Sequence, residues 1–291
     1  TLSWDQDLIK IFGLQGIKLP EIKNNADNFG VTNLFGGEIK ISGMAGDQQA
    51  ALFGQACFEN GQIKSTYGTG CFLILNTGKE ILRSKNKLLT TIGYKLDNEV
   101  NYALEGSIFV AGSLIQWLRD KMKFISSAPE SEKLAKIADS DNEVSIIPSF
   151  TGLGAPYWKP DLKAAIHGLS LETSREDIVL ASLEAIAFQT RDLLEALKND
   201  GAEIKSIKID GGMADNNFFS QILSDVLSID IYKPNNIEST SLGAAYLAGI
   251  GADHVKLSEL ADIWKADKLF KTKKSYDSKY TRYLNRVNSL I

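Results

Sequence analysis

The sequence of 291 residues predicts an α/β fold with a mixed sheet flanked by helices. Its composition, 44% hydrophobic and 23% charged, is ordinary for a globular protein that buries a sizeable core. From Gln62 onward, several apolar and β-branched segments come first, and alternating helical and strand segments follow. Hairpin strands followed by such βα units are typical of a mixed sheet with helices on its faces.

The first part of the chain predicts a short helix, a strand and a second helix. Residues 4–12, WDQDLIKIF, have helical spacing, and Ser3 is the expected N-cap. IKISGMAG, residues 39–46, predicts a strand that runs into a glycine-loosened loop. QQAALFGQA, residues 48–56, predicts a short buried helix.

A block of strands is predicted next. IKSTYG and CFLILNTG flank Gly68-Thr69-Gly70 as the strands of a hairpin, and LLTTIGYK and VNYALEG form a second pair around Asp97-Asn98. GSLIQWLRDKMKF then predicts a helix, and VSIIPSF predicts a short strand before the glycine-rich connection TGLGAPYW.

The second half of the chain alternates helices and strands. Residues 173–200 form the longest predicted helix, with Thr173 and Glu176 as its capping box. IKSIKID, which ends at Asp210, and IDIYKP are expected strands, with the helix NNFFSQILSDVLS between them. SLGAAYLAGIGA predicts a helix of small residues suited to close packing, and YTRYLNRV a final helix. The ribonuclease H-like, actin-like ATPase domain has this order of elements, although many α/β folds share pieces of it.

Charge and cysteine content exclude several classes of function. The formal net charge of −4 argues against a nucleic-acid partner, because such binding rests on clustered cations. No apolar run approaches the roughly 18 residues of a transmembrane helix. Cys57 and Cys71 lack redox or metal spacing, so we expect buried, reduced thiols in a cytoplasmic protein rather than a disulfide.

Two glycine-rich turns are candidate contacts for a phosphate or a nucleotide. STYGTGC, which contains Thr69, can present backbone N–H groups and a hydroxyl to a phosphate, and a plain β-turn is the alternative. IDGGMADNN leaves bare backbone at Gly212, after a strand's carboxyl end, where ligands bind in open α/β sheets. As the alternative, Asn216 is simply the N-cap of the next helix.

Asp47 is the most informative acid in the sequence. It follows an apolar strand and precedes an apolar helix, which predicts a partly desolvated position at the edge of a cleft. A carboxylate there can accept a proton from a substrate hydroxyl, and an N-cap role is the alternative.

Gly112 and Gln116 are a further candidate pair, because they are four residues apart on one face of a helix near its start. The alternative is a glycine required for packing and a solvated glutamine.

Together, and in this order, these segments resemble the FGGY carbohydrate kinase family. GDQQAALFGQ, STYGTGCF, the helix of residues 173–200, DGGMADNNF and TSLGAAYLAG carry the resemblance across nearly the whole chain. GDQQAALFGQ and GLGAPYW are most similar to the family members that phosphorylate glycerol. The resemblance implies Mg²⁺-dependent transfer of the γ-phosphate of ATP to glycerol, which yields sn-glycerol 3-phosphate and ADP.

The resemblance also implies roles for individual residues. Asp47 matches the family's catalytic base, and Gln48 matches a residue that hydrogen-bonds glycerol. Phe72 matches the apolar side of the glycerol pocket. The family's nucleotide-site positions are matched by Thr69, Gly112, Gln116, Gly212 and Asn216. No residue of this chain is assigned as a ligand of the metal ion.

The family forms its cleft between two actin-like domains. Residues 1–56 match the end of the first domain, with the strand and the helix that carry Asp47. Residues 57–291 match the nucleotide-binding second domain with a helical tail. The family's Asp-x-Gly-Thr hairpin has no counterpart here, and the chain starts with Thr1, so we expect a fragment or one chain of a split enzyme that is not fully competent alone.

Two further expectations accompany this resemblance. The family often forms homodimers or homotetramers, so a homo-oligomer is implied for the complete protein. Another FGGY kinase that acts on a sugar or a different polyol is one alternative function. A nucleotide-binding module without catalysis, as actin-like folds also provide, is the other.

Overall fold

A computed structural model describes residues 2–97 and 99–291, so Asn98 of the predicted turn lies outside the described residues. Within them, the helices are α1 (Gln6–Ile11), α2 (Asp47–Gly54), α3 (Gly112–Asp120), α4 (Glu130–Ile137), α5 (Arg175–Asn199), α6 (Asn217–Leu227), α7 (Ser239–Gly251), α8 (Leu257–Ile263) and α9 (Asp277–Asn288), with a 3₁₀ helix at Gly212–Asp215. The strands are β1 (Val31–Thr32), β2 (Ile39–Lys40), β3 (Gln62–Tyr67), β4 (Cys71–Gly78), β5 (Leu89–Leu96), β6 (Glu99–Ile108), β7 (Ser145–Ile147), β8 (Ala165–His167), β9 (Ser206–Asp210), β10 (Ile231–Pro234) and β11 (Ala266–Phe270).

A mixed sheet forms the centre of the structure, as the sequence predicts. Its strands lie in the order β11-β10-β9-β3-β4-β6-β5. The β3–β4 and β5–β6 pairs are antiparallel hairpins, whereas β9 runs parallel to both β3 and β10. The hairpin therefore lies beside a parallel βα unit, and the turn after β3 meets the turn after β9 at one end of the sheet.

The main core lies between one face of the sheet and the helices α3, α5, α6 and α9. Helix α5 is buried along most of its length, which is why its sequence is apolar on more than one side. Side chains from the sheet and from α5 that share this core include Ile63, Leu73, Leu104, Ile207, Ile209, Leu183 and Ile186.

The opposite face of the sheet is covered by α2, which packs against α7. A Cβ atom on Gly54 would lie 2.0 Å from the Ser239 carbonyl oxygen, and one on Gly243 would lie 1.8 Å from the Ala50 carbonyl oxygen. Both positions therefore exclude a side chain, and the two helix backbones touch. The predicted close packing of the small-residue helix is confirmed.

Two predicted caps are wrong by one or two residues. Asp5, not Ser3, caps α1, because its carboxylate accepts from the N–H groups of the first turn. The capping box of α5 is formed by Ser174 and Asp177, not by Thr173 and Glu176. Since Ser and Asp cap as well as Thr and Glu do, composition alone could not select the register.

Both cysteines of the chain are buried thiols. Cys57 and Cys71 are both free and buried, as predicted, and burial raises the pKa of the Cys57 thiol to about 12 and that of Cys71 to about 11. Among the described residues, no helix combines the length and apolar character needed to cross a membrane.

Candidate functional site

The hairpin between β3 and β4 is docked onto the start of α3. The Gly68 carbonyl accepts from the N–H of Gly112 at 2.9 Å, and the Thr69 carbonyl accepts from the N–H of Ala111 at 3.0 Å. These carbonyls satisfy N–H groups that a helix start leaves unpaired. A Cβ atom on Gly112 would lie 2.5 Å from the Gly68 oxygen, so the glycine is required for this docking.

A cavity of about 450 Å³ opens beside this hairpin. It brings together the five predicted nucleotide-site residues, which are Thr69, Gly112, Gln116, Gly212 and Asn216. Thr69 and Gln116 are exposed side chains at its edge. We call this space the hairpin cavity.

The turn after β9 forms the second wall of the hairpin cavity. Gly211 has φ +84°, and a Cβ atom there would lie 2.6 Å from the Tyr67 carbonyl oxygen, so it must be glycine. At Gly212 an added Cβ would have nothing within 4 Å, so packing within this structure does not require glycine there. Bare backbone facing open space allows close approach of a ligand.

Asn216 is the N-cap of α6, which was the alternative interpretation of this residue, and it also lines the cavity. Its side-chain oxygen accepts from the N–H of Phe219 at 2.9 Å, which caps α6. Its amide nitrogen lies 3.4 Å from the Ser131 hydroxyl at the start of α4. The cap thus fixes Asn216 at the cavity wall.

Sequence reasoning missed the third wall of the hairpin cavity. Arg119 of α3 and the start of α4, including Pro129, Ser131 and Glu132, line it. The signal was present, because Pro129 precedes an acidic first turn, and Leu134 with Ala135 gives the helix a buried side. Arg119 forms a bidentate ion pair with Asp120, with N···O distances of 2.7 and 2.8 Å.

Asp47 is the first residue of α2, and Gly46 is the N-cap, so the N-cap alternative for Asp47 is wrong. The carboxylate accepts from the Gln48 N–H at 2.8 Å and from the Gln48 side-chain amide at 3.3 Å. Asp47 is exposed, which corrects the expected partial desolvation: the side chain lies at the open first turn of the helix. A carboxylate there is favoured by the helix dipole.

The sheet face under α2 carries unusual buried charges. Lys64 of β3 pairs with Lys208 of β9, and Thr66 pairs with Asp210, so all four side chains lie on this face. Lys64 and Lys208 are buried, and burial lowers the pKa of both ammonium groups. Such charges are retained only where hydrogen bonds and opposite charges compensate them.

Lys64 connects this face to the start of α2. Its ammonium donates to the side-chain oxygen of Gln48 and to the Phe72 carbonyl, the latter at 3.2 Å. Phe72 is paired with Thr66, so its ring lies on the same face, and it is 37% exposed. We call this group the α2 cluster; it consists of Asp47, Gln48, Lys64 and Phe72.

The α2 cluster and the hairpin cavity are joined by the hairpin itself. Thr66 and Phe72 form the second pair from its turn, two residues along β3 from Lys64, and Thr69 at its tip lines the cavity. A phosphate chain held at the tip would therefore have the α2 cluster on one side of the hairpin and the hairpin cavity on the other. This arrangement suits transfer of a phosphoryl group between two bound molecules.

The polar side chains around the hairpin offer few ligands for a metal ion. The described residues contain no group of three or more His, Cys, Asp or Glu that could hold a metal ion. Mg²⁺ at a nucleotide needs only one or two carboxylates, because phosphates and waters supply its other ligands. Asp210 fits this limited demand, since its Oδ1 is buried and lacks a hydrogen-bond partner within the described residues.

The chain is similar to known carbohydrate kinases. Residues 63–252 match the C-terminal domain of the FGGY family of carbohydrate kinases. The chain is 51% identical over 273 residues to the glycerol kinase of Marinomonas sp. (strain MWYL1), covering 93% of this chain and 55% of that protein. It is 49% identical over 290 residues to the glycerol kinase of Alteromonas mediterranea, covering 98% of this chain and 59% of that protein.

The chain is also similar in structure to a glycerol kinase whose crystal structure is known. The fold superposes on a crystal structure of Plasmodium falciparum glycerol kinase with ADP, with a TM-score of 0.91 and 39% sequence identity. That match covers 100% of this chain and 60% of the other. The chain therefore spans less than two thirds of the length of each of these relatives.

Proposed function

The chain belongs to the FGGY family of carbohydrate kinases, and on that premise we propose that it is the nucleotide-binding part of an enzyme that phosphorylates glycerol. The reaction is transfer of the γ-phosphoryl group of ATP to a glycerol hydroxyl, which gives sn-glycerol 3-phosphate and ADP. The observation that carries the proposal is that Asp47 and Gln48 are connected, through Lys64, to the hairpin whose tip lines the hairpin cavity.

Asp47 is proposed as the general base. As the glycerol oxygen attacks the γ-phosphorus, its proton passes to the Asp47 carboxylate, and the bond to the ADP oxygen breaks. Gln48 would hydrogen-bond a hydroxyl of glycerol, and the partly exposed Phe72 ring would contact its carbon backbone. General base catalysis of this kind contributes about 10²–10⁴-fold to a rate.

The hairpin cavity is proposed as the ATP site. Thr69 would contact the phosphates at the hairpin tip, with its hydroxyl and with the local backbone N–H groups. The open backbone at Gly212 and the amide of Asn216 would face the adenosine end. Gly112 and Gln116, at the start of α3, would lie between these ends.

Mg²⁺ bound to the ATP phosphates would neutralise the charge that develops on the transferred group. Asp210 would help to hold it, because its Oδ1 is anionic and has no hydrogen-bond partner among the residues that the structure describes. In the same site, Lys64 limits the local accumulation of negative charge from Asp47 and Asp210.

Measurement of glycerol-dependent ADP release would test the proposal. It would be made on this chain alone and on the completed enzyme, by which we mean this chain together with the N-terminal domain of the family. We expect turnover only in the completed enzyme, with glycerol preferred over xylulose and gluconate. Preference for a sugar would favour another FGGY kinase, and ADP binding without turnover would favour a non-catalytic module.

The remaining properties of the complete protein are proposed on the same basis. Residues 1–56 are assigned to the end of the first domain and residues 57–291 to the second. A homodimer or homotetramer is expected, and light scattering on the completed enzyme would measure it. The cytoplasm is the proposed location, in keeping with the free Cys57 and Cys71 thiols.

A further inference from the structure

Lys64 is the most deeply buried charge in the α2 cluster. The residue is 0% exposed, in the middle of the sheet. Burial lowers the pKa of its ammonium, while Asp210, the Cys71 thiol, Glu105 and Asp47 oppose this effect. A buried ammonium is costly unless its protons are bonded, so its position requires a reason beyond packing.

The contacts of Lys64 determine which way the Gln48 amide faces. An ammonium has donors and no acceptor, so it must meet the oxygen of the amide and not its nitrogen. With Oε1 held by Lys64, the NH₂ group of Gln48 lies 3.3 Å from Asp47 Oδ2. The oxygen side of the amide therefore faces Lys64, and the second N–H of the NH₂ group can donate to a molecule beside Asp47.

We infer that Lys64 is a positioning residue, which holds Gln48 with its NH₂ group toward the acceptor substrate. This inference rests on the proposed function and specifies how the proposed site orients the hydroxyl group of glycerol. An NH₂ group donates to a hydroxyl oxygen and leaves the hydroxyl proton free. That proton is the one that Asp47 must accept. The two side chains therefore contact different atoms of one hydroxyl group: Gln48 donates to its oxygen, and Asp47 accepts its proton.

Lys208 provides a matched comparison on the same sheet face. It is the register partner of Lys64 on the neighbouring parallel strand. Its ammonium donates to the carbonyls of Gln55 at 2.7 Å and Ala56 at 3.1 Å, at the other end of α2, and lies 3.8 Å from the centre of the Trp264 ring. Both lysines thus hold α2 on the sheet, but only Lys64 contacts a predicted substrate residue.

The first experiment compares Lys64→Met with Lys208→Met in the completed enzyme. We expect Lys64→Met to raise the glycerol KM about tenfold to a hundredfold, because it removes a hydrogen bond to a charged donor, and to leave the ATP KM within about twofold. Lys208→Met should lower the melting temperature and leave the glycerol KM within about twofold. A glycerol KM that is equally raised in both variants would reduce Lys64 to a structural role.

A double-mutant cycle separates action through Gln48 from a general loosening of α2. In a Gln48→Ala background, Lys64→Met should have almost no further effect on the glycerol KM. Additive effects of the two changes would overturn the inference. If the wild-type completed enzyme does not phosphorylate glycerol at all, the proposed function itself fails, and this inference falls with it.

If Lys64→Met does not fold, a variant that retains Lys64 can still test the orientation of the Gln48 amide. Gln48→Glu preserves an oxygen for the Lys64 ammonium and replaces the NH₂ donor by a second oxygen. We expect the variant to fold, because the ammonium of Lys64 offsets the repulsion between the new carboxylate and Asp47, and its glycerol KM to be raised by about tenfold or more. An unchanged glycerol KM would contradict the assigned orientation of the amide.

Discussion

The side-chain amide of Gln55 donates to the Asp210 carboxylate at 2.8 Å, across 155 residues of sequence. Gln55 is the C-cap of α2, whose first residue is Asp47, and Asp210 ends the strand before the Gly211-Gly212 turn. One hydrogen bond therefore connects the helix of the proposed base to the turn that lines the hairpin cavity. The Gln55 oxygen also accepts from the Trp264 indole at 3.0 Å, which fixes the amide orientation.

Loss of the Gln55 amide should destabilise the chain markedly. In Gln55→Leu, the buried Asp210 carboxylate loses its amide donor, and the Trp264 indole loses its acceptor. We expect the free energy of unfolding to fall by about 2 to 4 kcal/mol, measured by urea denaturation. The exposed Gln15→Leu is the control and should change it by less than about 0.5 kcal/mol. Equal effects of the two changes would show that the buried contact contributes nothing specific.

Replacement of Asp47 tests the proposed base. In the completed enzyme, Asp47→Asn keeps the shape and the hydrogen bond from the Gln48 N–H but cannot accept the proton. We expect kcat to fall about 10²–10⁴-fold, with the ATP KM changed less than about threefold. Asp7→Asn, at the first turn of α1, is the matched exposed control and should retain full activity. Normal turnover by Asp47→Asn would remove this residue from the mechanism.

Gly212 and Gly112 should respond differently to the same added methyl group. A Cβ on Gly212 enters open space beside the hairpin cavity, so Gly212→Ala should leave the melting temperature nearly unchanged and weaken ADP binding about tenfold in calorimetry. A Cβ on Gly112 would lie 2.5 Å from the Gly68 oxygen, so Gly112→Ala should lower the melting temperature. Unaltered ADP affinity in Gly212→Ala would argue against close ligand approach at this turn.

The sequence predicts the strands and helices that carry the site because their signals are local. Alternating β-branched residues on either side of Gly68-Thr69-Gly70 indicate the hairpin, and the structure has it as β3 and β4. Helix α3 starts at Gly112, as predicted. The edge strand β11 and the short helices α4 and α8 were not predicted, since charged residues mask their apolar periodicity and tertiary pairing decides them.

The polar contacts of the site were harder to predict, because they depend on which strands become neighbours. Lys64 and Lys208 look like ordinary outward-facing strand residues, and nothing local indicates that α2 covers them. The exposure of Asp47 and the Gln55–Asp210 bond likewise depend on how α2 lies on the sheet. Residue types at a candidate site could be selected from the sequence, but their hydrogen-bond partners could not.

Asp192 should make stability depend on pH near neutrality. It is buried, and burial raises its pKa to about 7, although the hydroxyls of Tyr280, at 2.7 Å, and Tyr283, at 3.3 Å, donate to it and Arg191 lies nearby. Because the folded pKa is raised above the usual 3.8, the protonated form is favoured in the folded state. Its contribution is thus fully present below about pH 4 and is lost as pH rises through about 7.

Asp192→Asn isolates this contribution, because an amide mimics the protonated acid and does not titrate. Relative to Asp192→Asn, the wild-type free energy of unfolding should fall by roughly 1.4 kcal/mol per pH unit between pH 5 and 7, and level off above about pH 8. Urea denaturation of both proteins at matched pH values measures the difference, in which all other titrating groups cancel. A constant difference across this range would mean that Asp192 ionises in the folded protein as readily as in the unfolded chain.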